Sequence, residues 1–363
     1  MKWLDRARLA KAVPPAQGTL LFAGEPADAA LPLLGSEVEA MQALSRKSFE
    51  KAGLAKNDRV LFAVSRPGSP AVDLLAQAVA PSASGVAVTG PKGRLRLLTT
   101  IRNLKPTMLV TTPCGAADFL ARLYLEFNVD PVELDLRKIV LVGEIASRGV
   151  AKRVAKEFEA DLSEIYCDPI FGAALAWRRG GSWESAEPGS LALADPAKDE
   201  IRAEPISGGT AGPFELVLRP TWSAALADTA IRTGEVVAGD PGDAGLFNHT
   251  AGEHVLVRGQ WVSLPMLRKQ LALIDGIAGW ELEIDRGDRS LDSAVLKIRF
   301  DRETLVQNPM WKGRIQQAVA AATPVHVEVA TELADADSPK PKETVHDLRR
   351  YHLGVDRAHL AAP

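Results

Sequence analysis

Short apolar runs alternate with amphipathic segments between residues 58 and 177. The runs are bounded by glycine, proline or polar residues, which is typical of strands buried on both faces of a sheet. Between them, apolar side chains recur at helical spacing, as at Phe119, Leu123 and Phe127. The pattern predicts strands at Arg59–Val64, Gly85–Thr89, Met108–Thr112 and Lys138–Val142, and helices at Ala71–Ala80, Gly93–Leu104, Gly115–Phe127 and Arg148–Ala160.

The repeated order of strand and helix predicts a doubly wound α/β domain with a mainly parallel sheet. Such sheets bind ligands at the carboxyl ends of their strands. The segment Asp195–Gly252 is rich in Gly, Pro, Asp and Thr, and we expect an irregular β subdomain there with one clear strand, Glu215–Leu218.

Apolar and polar positions alternate again beyond His254, which is typical of a sheet with one exposed face. We therefore predict a small α+β C-terminal domain over residues 251–363, after a large α/β N-terminal domain over residues 1–250. Its expected strands are His254–Gly259, Trp280–Asp285, Ala294–Phe300 and Val325–Val329, and its expected helices are Leu264–Ile274 and Trp311–Ala322.

The composition of the chain limits the classes of partner and the compartment that we expect for it. The chain has 363 residues, of which 46% are hydrophobic and 25% charged, so it has enough apolar residues for two buried cores. A formal net charge of −3 without a dense basic block argues against nucleic acid and anionic lipid as partners. Two cysteines and no metal-ligand spacing indicate a reducing compartment without structural zinc. We expect a cytoplasmic protein that is neither exported nor membrane-spanning.

Several segments, in order along the chain, resemble the phenylacetate–CoA ligase branch of the adenylate-forming superfamily. Those enzymes activate a carboxylate with ATP and pass the acyl group to a thiol. No single motif is specific, but their order and spacing together are. The matching segments are Ala52–Val60, Leu104–Pro113, Val129–Glu144, Ser163–Cys167, Ile231–Glu235, Val257–Gly259 and the stretch around Lys340 to Arg349.

The resemblance implies an adenylate-forming N-terminal domain and a mobile C-terminal lid with a hinge near Glu253. It also implies ATP and Mg²⁺ as cofactors, CoA as an acceptor, a small aromatic or other organic carboxylate as substrate, and a homodimer. Carried over position by position, the implied roles are catalytic for Lys340 and Arg232, nucleotide-binding for Gly24, Gly143, Glu144, Tyr166 and Glu235, substrate-pocket for Thr112, Pro113 and Cys114, and metal-binding for Asp168.

The chain departs from the family pattern where the family binds phosphate and metal. Segment Leu21–Pro26 stands where the phosphate loop is expected, but it lacks hydroxyls and carries Glu25 in place of lysine. A carboxylate so placed repels a triphosphate. The family's metal-binding glutamate is also missing after Tyr166, with Asp168 as its candidate substitute, and Glu235 replaces an aspartate that holds the ribose.

Each candidate also has a structural interpretation. Lys340 lies in a proline-rich, polar stretch typical of a solvated tail, and Arg232 suits an ion pair at a strand end. Asp168 precedes a proline, and Asp-Pro starts turns. Thr112 and Pro113 fit the start of a helix. Cys114 there would have a lowered pKa, but the sequence assigns it no base.

Three functional hypotheses stay open. The first is a divergent adenylate-forming ligase. The second is a catalytically inactive relative that binds a nucleotide, an acyl group or acyl-CoA, or serves as a partner subunit. The third is different chemistry on the same fold, since fold does not fix function. The degenerate phosphate segment favours the second hypothesis, and the retained C-terminal domain favours the first.

Overall fold

The computed structural model describes residues 1–6, 8–9, 20–23, 30–64, 70–90, 93–144, 148–181, 183–203, 213–238, 247–285, 292–335 and 341–348. The chain divides into two compact units, Met1–Phe247 and Asn248–Pro363. Within these ranges, no helix combines the length and the apolarity needed to cross a bilayer.

In the described part of the first unit, the longer helices lie between residues 33 and 161, and the strands from residue 161 onward follow one another. Its helices are α1 (Gly35–Lys51), α2 (Pro70–Val79), α3 (Arg94–Leu104), α4 (Pro113–Arg122) and α5 (Arg148–Glu157). Its strands are β1 (Lys2–Leu4), β2 (Leu20–Ala23), β3 (Ala30–Leu33), β4 (Arg59–Ala63), β5 (Gly85–Val88), β6 (Met108–Thr111), β7 (Lys138–Val142), β8 (Asp161–Cys167), β9 (Ala174–Arg178), β10 (Glu184–Ser185), β11 (Leu191–Ala194), β12 (Ile201–Ala203), β13 (Pro213–Leu218) and β14 (Thr229–Ala238), with β15 (Phe247–Thr250) at the boundary.

The strand–helix units form a sheet in the order β10-β9-β8-β7-β6-β4-β5. All pairs from β5 to β8 are parallel, and β9 and β10 add antiparallel strands at one edge. The predicted parallel α/β sheet is therefore confirmed. Helices α3, α4 and α5 contribute one apolar core beside this sheet, and α1 and α2 contribute another.

One strand is less buried than its sequence indicates. We expected Gly85–Thr89 to be buried on both faces, but β5 is half-exposed to exposed along its length. Its position explains the difference, because among the described strands β5 ends the sheet and pairs with β4 alone. An apolar run predicts a strand, but it does not reveal whether that strand lies at an edge.

The strand predicted at Glu215–Leu218 is confirmed as part of β13, but the sequence did not indicate the other strands of this region. Strands β11 to β14 join β1 in a second sheet with the order β1-β14-β13-β11-β12, and β14 is ten residues long. The sequence of β14 contains Gly234 and polar residues, which weaken a strand signal. Pairing with β13 on one side and with β1 on the other compensates for this local weakness. Helix α1, which spans 17 residues, was not predicted either.

The second unit is an α+β module, as the alternation predicts. A four-stranded sheet has the order β20-β19-β18-β21, with a separate β16-β17 hairpin. Helices α6 and α8 pack against the sheet through Leu267, Leu271, Ile315 and Val319 in a common core. The helices are α6 (Leu264–Leu271), α7 (Glu303–Gln307) and α8 (Pro309–Ala322), and the strands are β16 (His254–Val257), β17 (Gln260–Ser263), β18 (Ile277–Asp285), β19 (Ser293–Phe300), β20 (Glu328–Leu333) and β21 (Glu343–Asp347).

Candidate functional site

Three of the predicted site segments follow neighbouring strands of the parallel sheet. Thr112 follows β6, Gly143 follows β7, and Tyr166 lies near the end of β8. Since β6, β7 and β8 are adjacent and parallel, their carboxyl ends meet at one edge. The topology therefore brings the predicted substrate-pocket and nucleotide residues to the same edge, where doubly wound sheets bind ligands.

Helix α4 begins at this edge with a well-formed N-terminus. Thr112 is its N-cap, and its hydroxyl oxygen accepts a hydrogen bond from the Gly115 N–H at 3.0 Å. Pro113 occupies the first helical position, where a missing N–H costs nothing. A Cβ on Gly115 would come within 2.8 Å of the Thr111 hydroxyl, so the tight start of α4 requires glycine here.

Glu144, in the turn after the neighbouring strand β7, accepts hydrogen bonds from the N-terminus of α4. Its Oε2 accepts a hydrogen bond from the Cys114 backbone N–H at 2.7 Å, and its Oε1 accepts one from the Cys114 thiol. A carboxylate is favourable there because of the partial positive charge of the helix N-terminus. Gly143, with φ of 71°, supplies the left-handed backbone that precedes Glu144. The predicted pocket and nucleotide segments are thus joined by direct contacts.

Tyr166 and Glu235 meet in the interior, although 69 residues separate them in sequence. The Tyr166 hydroxyl donates a hydrogen bond of 2.6 Å to Glu235 Oε2. Both side chains are buried. Tyr166 lies on β8 of the parallel sheet, and Glu235 lies on β14 of the second sheet. The pair therefore joins the two sheets of the first unit.

Burial makes this region unusual in its acid–base chemistry. It raises the pKa of Glu235 to about 7, against attraction by Arg6 and the Tyr166 hydrogen bond. It also raises the pKa of Asp168 to about 6, although three backbone amides favour the carboxylate. The pKa of the Tyr166 hydroxyl lies well above its ordinary value, chiefly through burial and then through the Glu235 charge. Two carboxyls therefore titrate near neutral pH beside one buried arginine.

Asp168 closes a turn at the end of β8. Its Oδ1 accepts the N–H groups of Ile170 at 3.0 Å and Phe171 at 2.6 Å, and its Oδ2 accepts the Ala173 N–H at 2.8 Å. Its exposed fraction is 1%. The carboxylate thus fills the role of an aspartate that starts a turn, the structural interpretation of this residue.

Arg232 is held in an ion-pair cluster of the second sheet. Its Nη1 contacts Glu215 Oε2 at 2.6 Å, and its Nη2 contacts Asp199 Oδ1 at 3.0 Å. The guanidinium also lies 4.9 Å from the ring centre of Trp3, and Glu215 is fully buried. The ion pair with an acid anticipated for Arg232 is present, although Arg232 lies within β14 and not at a strand end.

Three expectations concern residues outside the described part of the chain. Gly24 and Glu25 of the candidate phosphate segment lie outside the described residues, and so does Lys340. Among the described residues, no group of three or more His, Cys, Asp and Glu side chains has the arrangement of a metal site.

Sequence reasoning missed three residues around the candidate site. Arg6 and Trp3 belong to a short N-terminal segment whose basic residues carry no recognisable motif, and Glu215 lies in an ordinary apolar strand. The signal that could have found Glu215 is its position: an acid inside an apolar strand needs a buried cation. Nothing local in the sequence marks Arg6.

The sequence matches no protein-family model and no curated protein sequence. Solved structures do resemble it. A crystal structure of 2-hydroxyisobutyryl-CoA ligase with 2-HIB-AMP and CoA matches at 14% identity, with a TM-score of 0.76, over 98% of this chain and 81% of that one.

Two further structures match with lower coverage. An amide bond synthetase from Marinactinospora thermotolerans matches at 15% identity with a TM-score of 0.63, over 86% of this chain and 64% of that one. A double mutant of o-succinylbenzoate CoA synthetase from Bacillus subtilis, bound to a product analogue, matches at 12% identity with a TM-score of 0.60, over 86% of this chain and 65% of that one. These likenesses do not single out the phenylacetate–CoA ligase branch. The chain has the fold of the adenylate-forming ligases.

Proposed function

We propose that this protein is a divergent AMP-forming ligase that activates an aromatic or other organic carboxylate and transfers the acyl group to a thiol such as CoA. The observation that carries the proposal is the Tyr166–Glu235 hydrogen bond of 2.6 Å. The resemblance implies a nucleotide-binding role for both residues. Their meeting beside the carboxyl edge of the parallel sheet supports one adenosine site there.

In this proposal the Tyr166 ring provides an apolar face for adenine, and Glu235 accepts hydrogen bonds from the ribose hydroxyls. An ionised carboxylate accepts such bonds more strongly than a neutral acid. Because the Glu235 pKa is about 7, the proposed site is fully charged only above neutral pH. Nucleotide affinity should therefore rise between pH 6 and pH 8.

The proposed chemistry has two steps. A carboxylate oxygen of the substrate attacks the α-phosphorus of ATP, forming an acyl-adenylate and releasing pyrophosphate. The thiolate of the acceptor then attacks the acyl carbon, forming a thioester and releasing AMP. The edge formed by Thr112, Cys114 and Glu144 is the proposed acyl side of the site. Lys340, from outside the described residues, is the proposed cation for the first step.

Magnesium does not fit at Asp168. Three backbone amides occupy three of the roughly four lone-pair positions of its carboxylate, and its side chain is buried. We therefore assign Asp168 no metal-binding role and derive no step through a metal ion held there. A metal ion that accompanies ATP would arrive with the triphosphate as part of the substrate.

A second candidate function rests on Arg232. Because its guanidinium is committed to Glu215, Asp199 and Trp3, it is not positioned as a reagent for phosphate. This observation favours a catalytically inactive relative that binds a nucleotide or acyl-CoA at the same edge.

Pyrophosphate exchange separates the two functions. Purified protein is incubated with ATP, labelled pyrophosphate and a panel of aliphatic and aromatic carboxylic acids. A ligase incorporates label into ATP with at least one acid, and we expect Lys340→Ala to abolish the exchange while the exposed-site control Lys105→Ala retains it. Absence of exchange with every acid, together with intact AMP binding, would instead support the inactive relative.

A further inference from the structure

The N-terminal segment reaches the candidate site as an added strand. Strand β1 pairs in parallel with β14, with Leu4 opposite Ile231. Four residues beyond Ile231, in the same chain direction, β14 contains Glu235. Two residues beyond Leu4, the chain reaches Arg6. Two strands that run side by side thus deliver a carboxylate and a guanidinium to the same end of the second sheet.

The chain turns immediately after β1 and buries Arg6. Asp5 starts the turn: its Oδ1 accepts the Arg8 N–H at 2.8 Å, and its carbonyl oxygen accepts the Leu9 N–H at 2.9 Å. Leu4 and Leu9 pack into the same apolar core as Tyr166. Held between these two anchors, Arg6 is only 8% exposed, whereas Arg8 on the outer side of the same turn is exposed.

Burying a guanidinium is costly unless carboxylates surround it. The charged and titratable groups around Glu235 are Tyr166, Cys167 and Asp168 from β8 and the following turn, and Arg6 from the segment after β1. Arg6 is the cation among them. Its attraction acts on both acids and opposes the effect of burial on each pKa.

We propose that Arg6 is a positioning residue that holds the Glu235 carboxylate charged and oriented. It would do so in the same region as Asp168, whose carboxylate provides no metal site. This makes β1 and the turn after it a working part of the site. That Glu235 then meets a ribose rests on the proposed function, whereas the attraction between Arg6 and Glu235 rests on the burial of both side chains and on the parallel pairing of β1 with β14.

The test compares Arg6→Met, which keeps the length and apolar stem, with Arg6→Lys, which keeps the charge, and with Arg8→Met as the matched exposed control. Denaturant unfolding is measured at pH 8 and at pH 5.5. Arg6→Met should lower the folding equilibrium constant about tenfold or more at pH 8, where both acids are ionised, and clearly less at pH 5.5. Arg6→Lys should recover most of the loss, and Arg8→Met should have little effect at either pH. An Arg6→Met loss that is equal at both pH values, without recovery by lysine, would overturn the proposal in favour of simple packing.

A double variant keeps the test decisive if Arg6→Met folds poorly. When Glu235 is also changed to glutamine, one buried charge no longer needs a counter-ion, so Glu235→Gln should add more stability at pH 8 to the Arg6→Met protein than it adds to the wild-type protein. An equal gain in the two proteins would contradict an interaction between Arg6 and Glu235.

AMP titration of the same proteins separates this proposal from the proposed function. Weaker AMP binding by Arg6→Met, restored by Arg6→Lys, supports both. If the wild-type protein binds no AMP, the nucleotide site is refuted while the unfolding comparison still decides the role of Arg6.

Discussion

At the scale of the residue, two opposing effects act on the pKa of the buried Glu235 carboxyl. Burial favours its protonated form, whereas Arg6 and the Tyr166 hydroxyl favour the charged form. The balance leaves the pKa near 7, so small changes in the surroundings change its charge at physiological pH. Perturbed acids of this kind are common at functional sites, although structural ion-pair networks produce them as well.

Glutamine at position 235 should stabilise the protein in a pH-dependent way. Because the folded-state pKa is raised from 4.5 to about 7, the native state holds the proton more tightly than the unfolded chain, and stability falls as pH rises between these values. Glu235→Gln removes this loss and can still accept the Tyr166 hydrogen bond. We expect about 1–3 kcal/mol of added stability at pH 8 and little at pH 4.5, measured by urea unfolding. Equal effects at both pH values would contradict the raised pKa.

Arg232 should be essential to the stability of the second sheet. Arg232→Met leaves the fully buried Glu215 without its cation, which typically costs about 3–5 kcal/mol. Changing Glu215 to glutamine in the same protein should restore part of that loss, whereas Arg202→Met at an exposed ion pair should cost under about 1 kcal/mol. Chemical unfolding of the four proteins gives the comparison, and an Arg232→Met cost as small as that of Arg202→Met would refute the role of the buried pair.

At the scale of the element, the sequence predicted what local pattern controls and missed what pairing controls. Buried apolar runs identified β4, β6 and β7. A parallel strand that is covered on both faces has apolar residues at nearly every position, so its sequence is easy to recognise. Strand β14 escaped prediction because Gly234 and its polar residues weaken the local signal, while its stability comes from distant partners. The same reason hid Arg6, because the two acids that it attracts, Asp168 and Glu235, are more than 150 residues away along the chain.

The start of helix α4 provides a test at this scale. Thr112→Ala removes the acceptor of the Gly115 N–H and should cost about 1 kcal/mol in unfolding free energy, whereas Thr112→Ser keeps the hydroxyl and should cost far less. Since Glu144 also accepts the Cys114 N–H, combining Thr112→Ala with Glu144→Gln should weaken this N-terminus further. Thermal unfolding measures both effects, and indistinguishable alanine and serine variants would show that the hydroxyl does not cap the helix.

At the scale of the whole molecule, the fold was recognisable from the order of weak motifs, whereas the site was predictable only in part. The positions of Thr112, Gly143 and Tyr166 followed from strand order, since parallel neighbours align their carboxyl ends. Asp168 and Arg232 are engaged by contacts within their own turn or sheet, which their positions in the motifs did not predict. Motif position thus located the edge of the site but not the engagement of each side chain.

The most direct measurement is calorimetric titration of the protein with ATP at pH 8, with Mg²⁺ and without it. We expect micromolar binding by the wild-type protein, weakened about tenfold in Glu235→Gln, a loss of about 1.4 kcal/mol, and unchanged in the exposed-site control Glu184→Gln. An absence of ATP binding under both conditions would contradict ligase activity. Binding that Glu235→Gln leaves unchanged would contradict the placement of the nucleotide beside Tyr166 and Glu235.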